Sequence, residues 1–353
     1  MAFYYISMTN ILIMKQIILP IGAFLLSCAS TQKSVEFTPT TFANTITAEE
    51  LKEHLYTYAS DEFMGRETGT EGETLAINFL KNEYEALGIK GGMPNGDYFM
   101  PMTLNAYRES RTIEGNNVLA YIEGSDTPQE VLVITAHLDH IGVEDDGQIN
   151  NGADDDGSGN VAILEIAEAF QEAVKQGHRP KRSILFLHVS GEEKGLLGSK
   201  YYTDNPIYPL ENTVANLNID MIGRIDNLHE DNPNYIYLIG SDILSQDLHD
   251  VSEAMNEKYV NLELDYRYND PTTEVFEFGR YRQNRYYYRS DHYNFAKNNV
   301  PVIFYFNGTH ADYHAPTDTV EKIEYELLEK RARLIFYTAW EIVNRDERLR
   351  LKE

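Results

Sequence analysis

Apolar positions along the chain follow two alternating rhythms. Short, almost continuously apolar runs recur: VLAYI at 118–122, VLVITAHLD at 131–139, SILFLHVS at 183–190, VANLNIDMI at 214–222, YIYLIG at 235–240 and VPVIFYF at 300–306. Such runs suit strands covered on both faces. Between them the apolar residues return at helical spacing over 160–176, 195–203, 245–258, 291–299 and 323–345. Upstream, 48–87 is helical in pattern. Ala48-Glu49-Glu50-Leu51 opens one helix; Leu75, Phe79, Leu80, Tyr84 and Leu87 belong to another, which Gly88 ends. Strands alternating with helices predict an α/β fold with a mostly parallel, mixed central sheet flanked by helices on both faces. Open sheets of this kind bind ligands beyond the carboxyl ends of their strands. The polar residues of this chain gather at those ends.

The longest apolar run lies at the start. Met14-Lys15 is followed by IILPIGAFLL and then by Ser27-Cys28-Ala29. A short charged region, about ten apolar residues and a small residue before a cut describe an export signal, too short to span a membrane as a mature helix. L-L-S-C-A also resembles a bacterial lipobox, in which the cysteine carries lipid and becomes the first mature residue. A plain signal peptide with an incidental cysteine is the simpler alternative. The expectation is a signal peptide over 1–28, with Met14 a better start than Met1 and residues 1–13 an artefact of start choice. A polar tether over 29–45 and one domain over 46–353 follow. The protein would then be exported and membrane-anchored through Cys28, at the periplasmic or outer face.

Cys28 is the single cysteine, which excludes internal disulfides and cysteine-rich metal sites. With 56 acidic against 30 basic residues the formal net charge is -26. That balance repels phosphate backbones and sets nucleic acid aside as a partner. The nearest thing to a basic patch is Arg345, Arg348 and Arg350.

Each strand end carries a chemically able group with an ordinary explanation beside it. VLVITAHLDH brings His137 and Asp139; residues two apart on a strand share a face, so Asp139 could take the far ring proton of a ligating His137. Alone, the pair is no more than a surface or core pair. NGADDDGSGN at 151–160 precedes a helix. Three consecutive aspartates repel one another unless a cation compensates, yet Asp156 or Ser158 could simply cap the helix. Glu192 and Glu193 follow SILFLHVS, and two adjacent carboxylates can split the work of metal ligand and proton carrier or sit solvated in a loop. Asp220 stands among apolar neighbours, where an unpaired carboxylate is costly. DYHAPTDT then offers Tyr313 and His314 before the last helix. Nitrogen and oxygen donors without thiolate suit zinc, with manganese or cobalt as substitutes.

The ordered set AHLDH, GADDDGSGN, SGEEKGLLGS, NLNIDMIGR and DYHAPTD resembles the co-catalytic zinc aminopeptidases related to glutamate carboxypeptidase and transferrin receptor. The resemblance runs from about Ala48 to Asn344. It implies two zinc ions per chain: one on His137 and Asp220, one on Glu193 and His314, with Asp155 bridging. It further implies that a water between the ions attacks the peptide bond with Glu192 as general base. Asp139 would be the carboxylate behind His137, and Tyr313 a donor to the oxyanion. Relatives often have a cis peptide after the bridging aspartate, here Asp155-Asp156. The substrates implied are peptides with a free N-terminus. A carboxypeptidase of the same superfamily would need arginines to grip a carboxylate, for which Arg280, Arg282, Arg285 and Arg289 are available. A glutaminyl cyclase and a non-catalytic binding protein are further alternatives.

Overall fold

The computed structural model describes residues 38–106, 111–277 and 280–352. The signal segment, Cys28 and residues 29–37 of the expected tether lie outside them. The remainder of that tether is not free chain. Helix α1 (Thr40–Ala43) packs on the domain with Phe42, Ala43 and Ile46 fully buried, the Phe42 ring 5.7 Å from that of Trp340. The packed domain therefore begins before residue 46. One aromatic anchor in a polar stretch is a weak pattern, and composition hides it.

Helix α2 (Ala48–Tyr58) starts at Thr47, whose hydroxyl accepts the Glu50 N–H at 3.2 Å. Helix α3 (Glu71–Leu87) stops at Gly88, which takes the left-handed φ of +75° that a helix C-terminus asks of glycine. Then come β1 (Lys90–Gly91), β2 (Phe99–Ala106), β3 (Arg111–Ile122) and β4 (Thr127–His137). Helix α4 (Gly159–Lys175), β5 (Arg182–Val189), α5 (Leu197–Asp204), β6 (Thr213–Ile219), β7 (Tyr235–Ile239) and α6 (Gln246–Met255) follow. The chain continues through β8 (Glu263–Asp265), a hairpin of β9 (Glu274–Glu277) and β10 (Arg280–Gln283), α7 (His292–Ala296), β11 (Val302–Phe306) and α8 (Tyr325–Asn344).

Nine strands form one sheet in the order β1-β3-β5-β4-β6-β11-β7-β8, with β2 also paired to β3. Its centre, β5-β4-β6-β11, is parallel; β3 and β7 join it antiparallel. The expected mixed, mostly parallel core is therefore present. Alternate residues of the central strands feed two cores. Leu132, Ile134, Phe186, Leu217 and Ile303 meet the α4 and α8 side, while Val133, Leu187, Phe304 and Phe306 meet the other, which α7 helps cover. Burial on both faces is why these strands carry unbroken apolar runs.

Strand β4 ends at His137, so Leu138 and Asp139 lie beyond it, not on it. The long run at 131–139 merges strand and loop. Strand β2, with its one-sided alternation, and the β9/β10 hairpin fall outside the apolar runs.

Candidate metal centre

The parallel strands deliver their polar ends to one place. His137 is the last residue of β4; Glu192 and Glu193 follow β5, Asp220 follows β6, and His314 sits in the loop after β11. Asp155 comes from the loop between β4 and α4. His137 Nε2 lies 3.1 Å from Asp155 Oδ1 and 3.6 Å from Asp220 Oδ1. His314 Nε2 lies 3.1 Å from the other Asp155 oxygen and 3.1 Å from Glu193 Oε1. Asp155 thus faces one imidazole with each carboxylate oxygen. All five expected metal ligands converge.

The three aspartates escape mutual repulsion by pointing to different partners. Asp156 accepts the backbone N–H groups of Gly159 (3.0 Å), Met221 (3.1 Å) and His137 (3.1 Å), so it ties the start of α4 to the end of β4 and the loop after β6. Asp154 accepts Gly223 N–H at 2.6 Å and faces His310 Nε2 at 3.2 Å. Asp155 alone faces the cleft cluster, and its peptide bond to Asp156 is cis. Asp318, from the loop before α8, accepts the N–H groups of Asp154 and Asp155 at 3.0 and 3.2 Å.

Asp139 does not stand behind His137 as expected. The ring Nδ1 pairs with the Asp139 backbone carbonyl at 2.9 Å, and the carboxylate Oδ1 is 4.0 Å away. The carboxylate instead accepts Glu192 N–H at 3.1 Å and the Thr68 hydroxyl at 2.9 Å. The physical reason is the end of β4 at His137, which removes the same-face relation. Tyr313 stacks on His314, with ring centroids 3.9 Å apart, and lines the cleft.

Two groups to which the sequence motifs assigned no role belong here. Ser290 donates to Asp220 Oδ2 at 2.6 Å and accepts from Asn218 Nδ2 at 2.8 Å, fixing the carboxylate. His140, fully buried, points Nδ1 at Glu193 Oε1 (3.2 Å) and Asp155 Oδ2 (3.8 Å). The HLDH tetrapeptide contained that second histidine.

Burial raises the Asp155 carboxyl, but His140, His137 and His314 outweigh it and hold it well below the usual range. Burial and Asp155 likewise push Glu193 up, yet His140 and His314 bring it down to about 2. Glu192 behaves oppositely. Burial drives its proton affinity well up, His137 opposes this, and Glu193, Asp291 and Asp220 add to it. Adjacent glutamates are thereby split into an ionised donor and a proton holder.

A divalent cation fits this cluster. Among the described residues, Asp155 Oδ2, Glu193 Oε1 and His140 Nδ1 are buried without a hydrogen-bond partner, a costly state that a cation would relieve. Two donor groups are close enough to hold an ion: His137, Asp155 and Asp220, and His140, Asp155 and Glu193. They open on a small cleft that Met221, Tyr286, Phe304 and Phe306 also line. Of the four arginines considered for carboxylate binding, Arg289 lines this cleft; Arg280, Arg282 and Arg285 are exposed and do not.

The sequence profile described as Peptidase family M28 matches residues 117–339. Leupeptin-inactivating enzyme 1 of Streptomyces exfoliatus is 26% identical over 309 residues, covering 81% of this chain and 59% of that protein. In two other curated relatives the match spans only 11% and 22% of their lengths. BSAP, a zinc aminopeptidase from Bacillus subtilis, superposes with a TM-score of 0.63 at 15% identity, over 85% of this chain and 96% of that one. Bacteroides thetaiotaomicron glutaminyl cyclase does so with a TM-score of 0.64 at 17% identity, over 84% and 98%. At such identities these two show the fold alone.

Proposed function

The chain belongs to peptidase family M28, and from that premise we propose that it is a two-zinc exopeptidase removing N-terminal residues from peptides. The observation that carries this reading is Asp155, which offers one oxygen to each of two imidazole-carboxylate clusters beside Glu192. His137, Asp155 and Asp220 would hold one ion, and Asp155, Glu193 and His314 the other. When bound, such ions supply Lewis acidity toward a carbonyl and make water a stronger acid.

The remaining work falls to the chain's own groups. Glu192 lines the cleft, and among the described residues no hydrogen bond ties its carboxylate. Its position beside the cluster suits it to take a proton from the attacking water and pass it to the departing amine. Tyr313 also lines the cleft, and its hydroxyl would donate to a developing oxyanion. Asp139 acts through the backbone by holding Glu192 N–H. The apolar residues lining the cleft give the substrate side chain its seat.

Among the described residues lining the cleft Arg289 is the one arginine, so the cluster of guanidinium groups suited to gripping a substrate carboxylate is not gathered there. The fold is shared with a glutaminyl cyclase, so architecture does not choose between hydrolysis and cyclisation. A panel of aminoacyl reporters, with blocked-terminus, carboxypeptidase and N-terminal glutaminyl controls, tests the proposal. Turnover confined to free N-termini is expected; turnover of blocked peptides with a free carboxylate would overturn it.

We also propose export and a lipid anchor, resting on L-L-S-C-A around Cys28. Among the described residues no helix is long and apolar enough to cross a membrane.

A further inference from the structure

We propose that His140 is a metal donor and that it makes the two ion positions unequal; the inference rests on the two-ion reading above. His140 lies past the end of β4, where its N–H donates to the Arg66 carbonyl at 3.3 Å. Arg66 itself is fully buried and forks onto the carbonyls of Leu138, Asn151 and Gly152 at 3.2, 2.6 and 2.9 Å. The backbone on both sides of the imidazole is thereby pinned. Gly152, at φ +55°, presses on the ring: a Cβ there would meet His140 Cδ2 at 2.6 Å. The ring has one place to be.

That place is among acceptors. His140 Nδ1 faces the same two oxygens as His314 Nε2, namely Glu193 Oε1 and Asp155 Oδ2. Among the described residues, neither ring nitrogen of His140 has a hydrogen-bond partner, and neither do those two oxygens. An imidazole fully removed from water, with unpaired nitrogens beside unpaired carboxylate oxygens, is expensive unless something completes the set. One cation does so.

The two positions then differ in kind. His140, His314, Glu193 and Asp155 surround one, whereas His137, Asp220 and Asp155 surround the other. Four protein donors are the mark of a closed, retained zinc site; three leave a coordination place for water or substrate. The ion between the two loop histidines is held tightly, and its neighbour at the end of β4 is the exchangeable one, open to ligand.

Zinc titration of metal-free protein by calorimetry, with zinc-edge X-ray absorption on the loaded form, tests this. Two unequal steps are expected, with three imidazoles shared between two ions. His140→Ala should weaken the tight step by about 100-fold or more, above the range usual for losing a supporting group. It should leave the weaker step in place. Two imidazoles for two ions in the unaltered protein, equal steps, or a variant that loses less than this would each overturn the proposal. The absorption measurement needs no variant, so a poorly folding His140→Ala leaves the question decidable. A protein that takes up no zinc would instead overturn the two-ion reading itself.

Discussion

The Asp139 carboxylate accepts the backbone N–H of Glu192 at 3.1 Å, joining the loop after β5 to the end of β4. The proposed base and the His137 ligand are thus fixed to one frame through a group that touches neither side chain's working atoms. Asp139 is better described as a positioning residue than as the histidine's proton acceptor.

Glu192→Gln keeps the shape of the side chain but cannot accept a proton. Turnover is expected to fall by about 10²–10⁴-fold, with both ions retained on metal analysis. Glu193→Ala should lose one ion instead. Loss of an ion from Glu192→Gln, with full loading of Glu193→Ala, would reverse the assignment.

Arg66→Ala removes the fork onto the carbonyls of Tyr58, Leu138, Asn151 and Gly152, of which Leu138 keeps the Tyr58 hydroxyl and Gly152 the Gly157 N–H. Each orphaned acceptor costs roughly 1–3 kcal/mol, so a large drop in thermal midpoint is expected. Arg66→Lys should recover little of it, since one ammonium cannot reproduce a planar fork. A midpoint unchanged by either substitution would show that water replaces the fork.

Glu165 lies on α4 away from the metal cluster, and burial, with Glu50 and Glu168 nearby, raises its carboxyl from 4.5 to about 9. The folded state binds this proton more tightly than the unfolded chain does. Its contribution is therefore complete below the unfolded value and is lost as pH rises toward 9. Glu165→Gln, permanently neutral, should gain stability over the parent as pH climbs through that window. Melting curves at several pH values would show the gap widening; a constant gap would refute the assignment.

Cys28→Ser should move the protein from the membrane fraction to a soluble or unprocessed form, without altering turnover by the folded domain. Fractionation with metabolic lipid labelling checks this. A lipid-free, unprocessed cytosolic protein with Cys28 intact would remove the basis for the anchor.

The central strands were legible because burial on both faces leaves no polar alternation, so β4, β5, β6, β7 and β11 appear as apolar runs. Their lateral order was not, since β11 lies between β6 and β7 through pairings that no local pattern encodes. The five expected ligands came from motifs at strand ends, and the structure brings them together. Asp139 shows the limit of local reasoning: its geometry depends on where β4 stops. His140 and Ser290 show another. Arg66 accepts the N–H of the first through its carbonyl, and Asp220 engages the second from 70 residues away. Such links are tertiary and leave no periodic trace.

The order of the sheet also dictates which donor joins the cluster last during folding. His314 depends on β11, which must pair with β6 after the whole intervening chain, including β7 and the β9/β10 hairpin, has been laid down. Closing loops as long as the one between His137 and His314 is slow, and non-local parallel pairing is slower than helix formation. A nascent chain that ends before Val302 lacks the strand that seats the last imidazole. Of the clustered donors, His314 is therefore the last to be seated, and its arrival reports completion of the sheet, whereas His137, His140, Asp155, Glu193 and Asp220 all precede β11 in the chain.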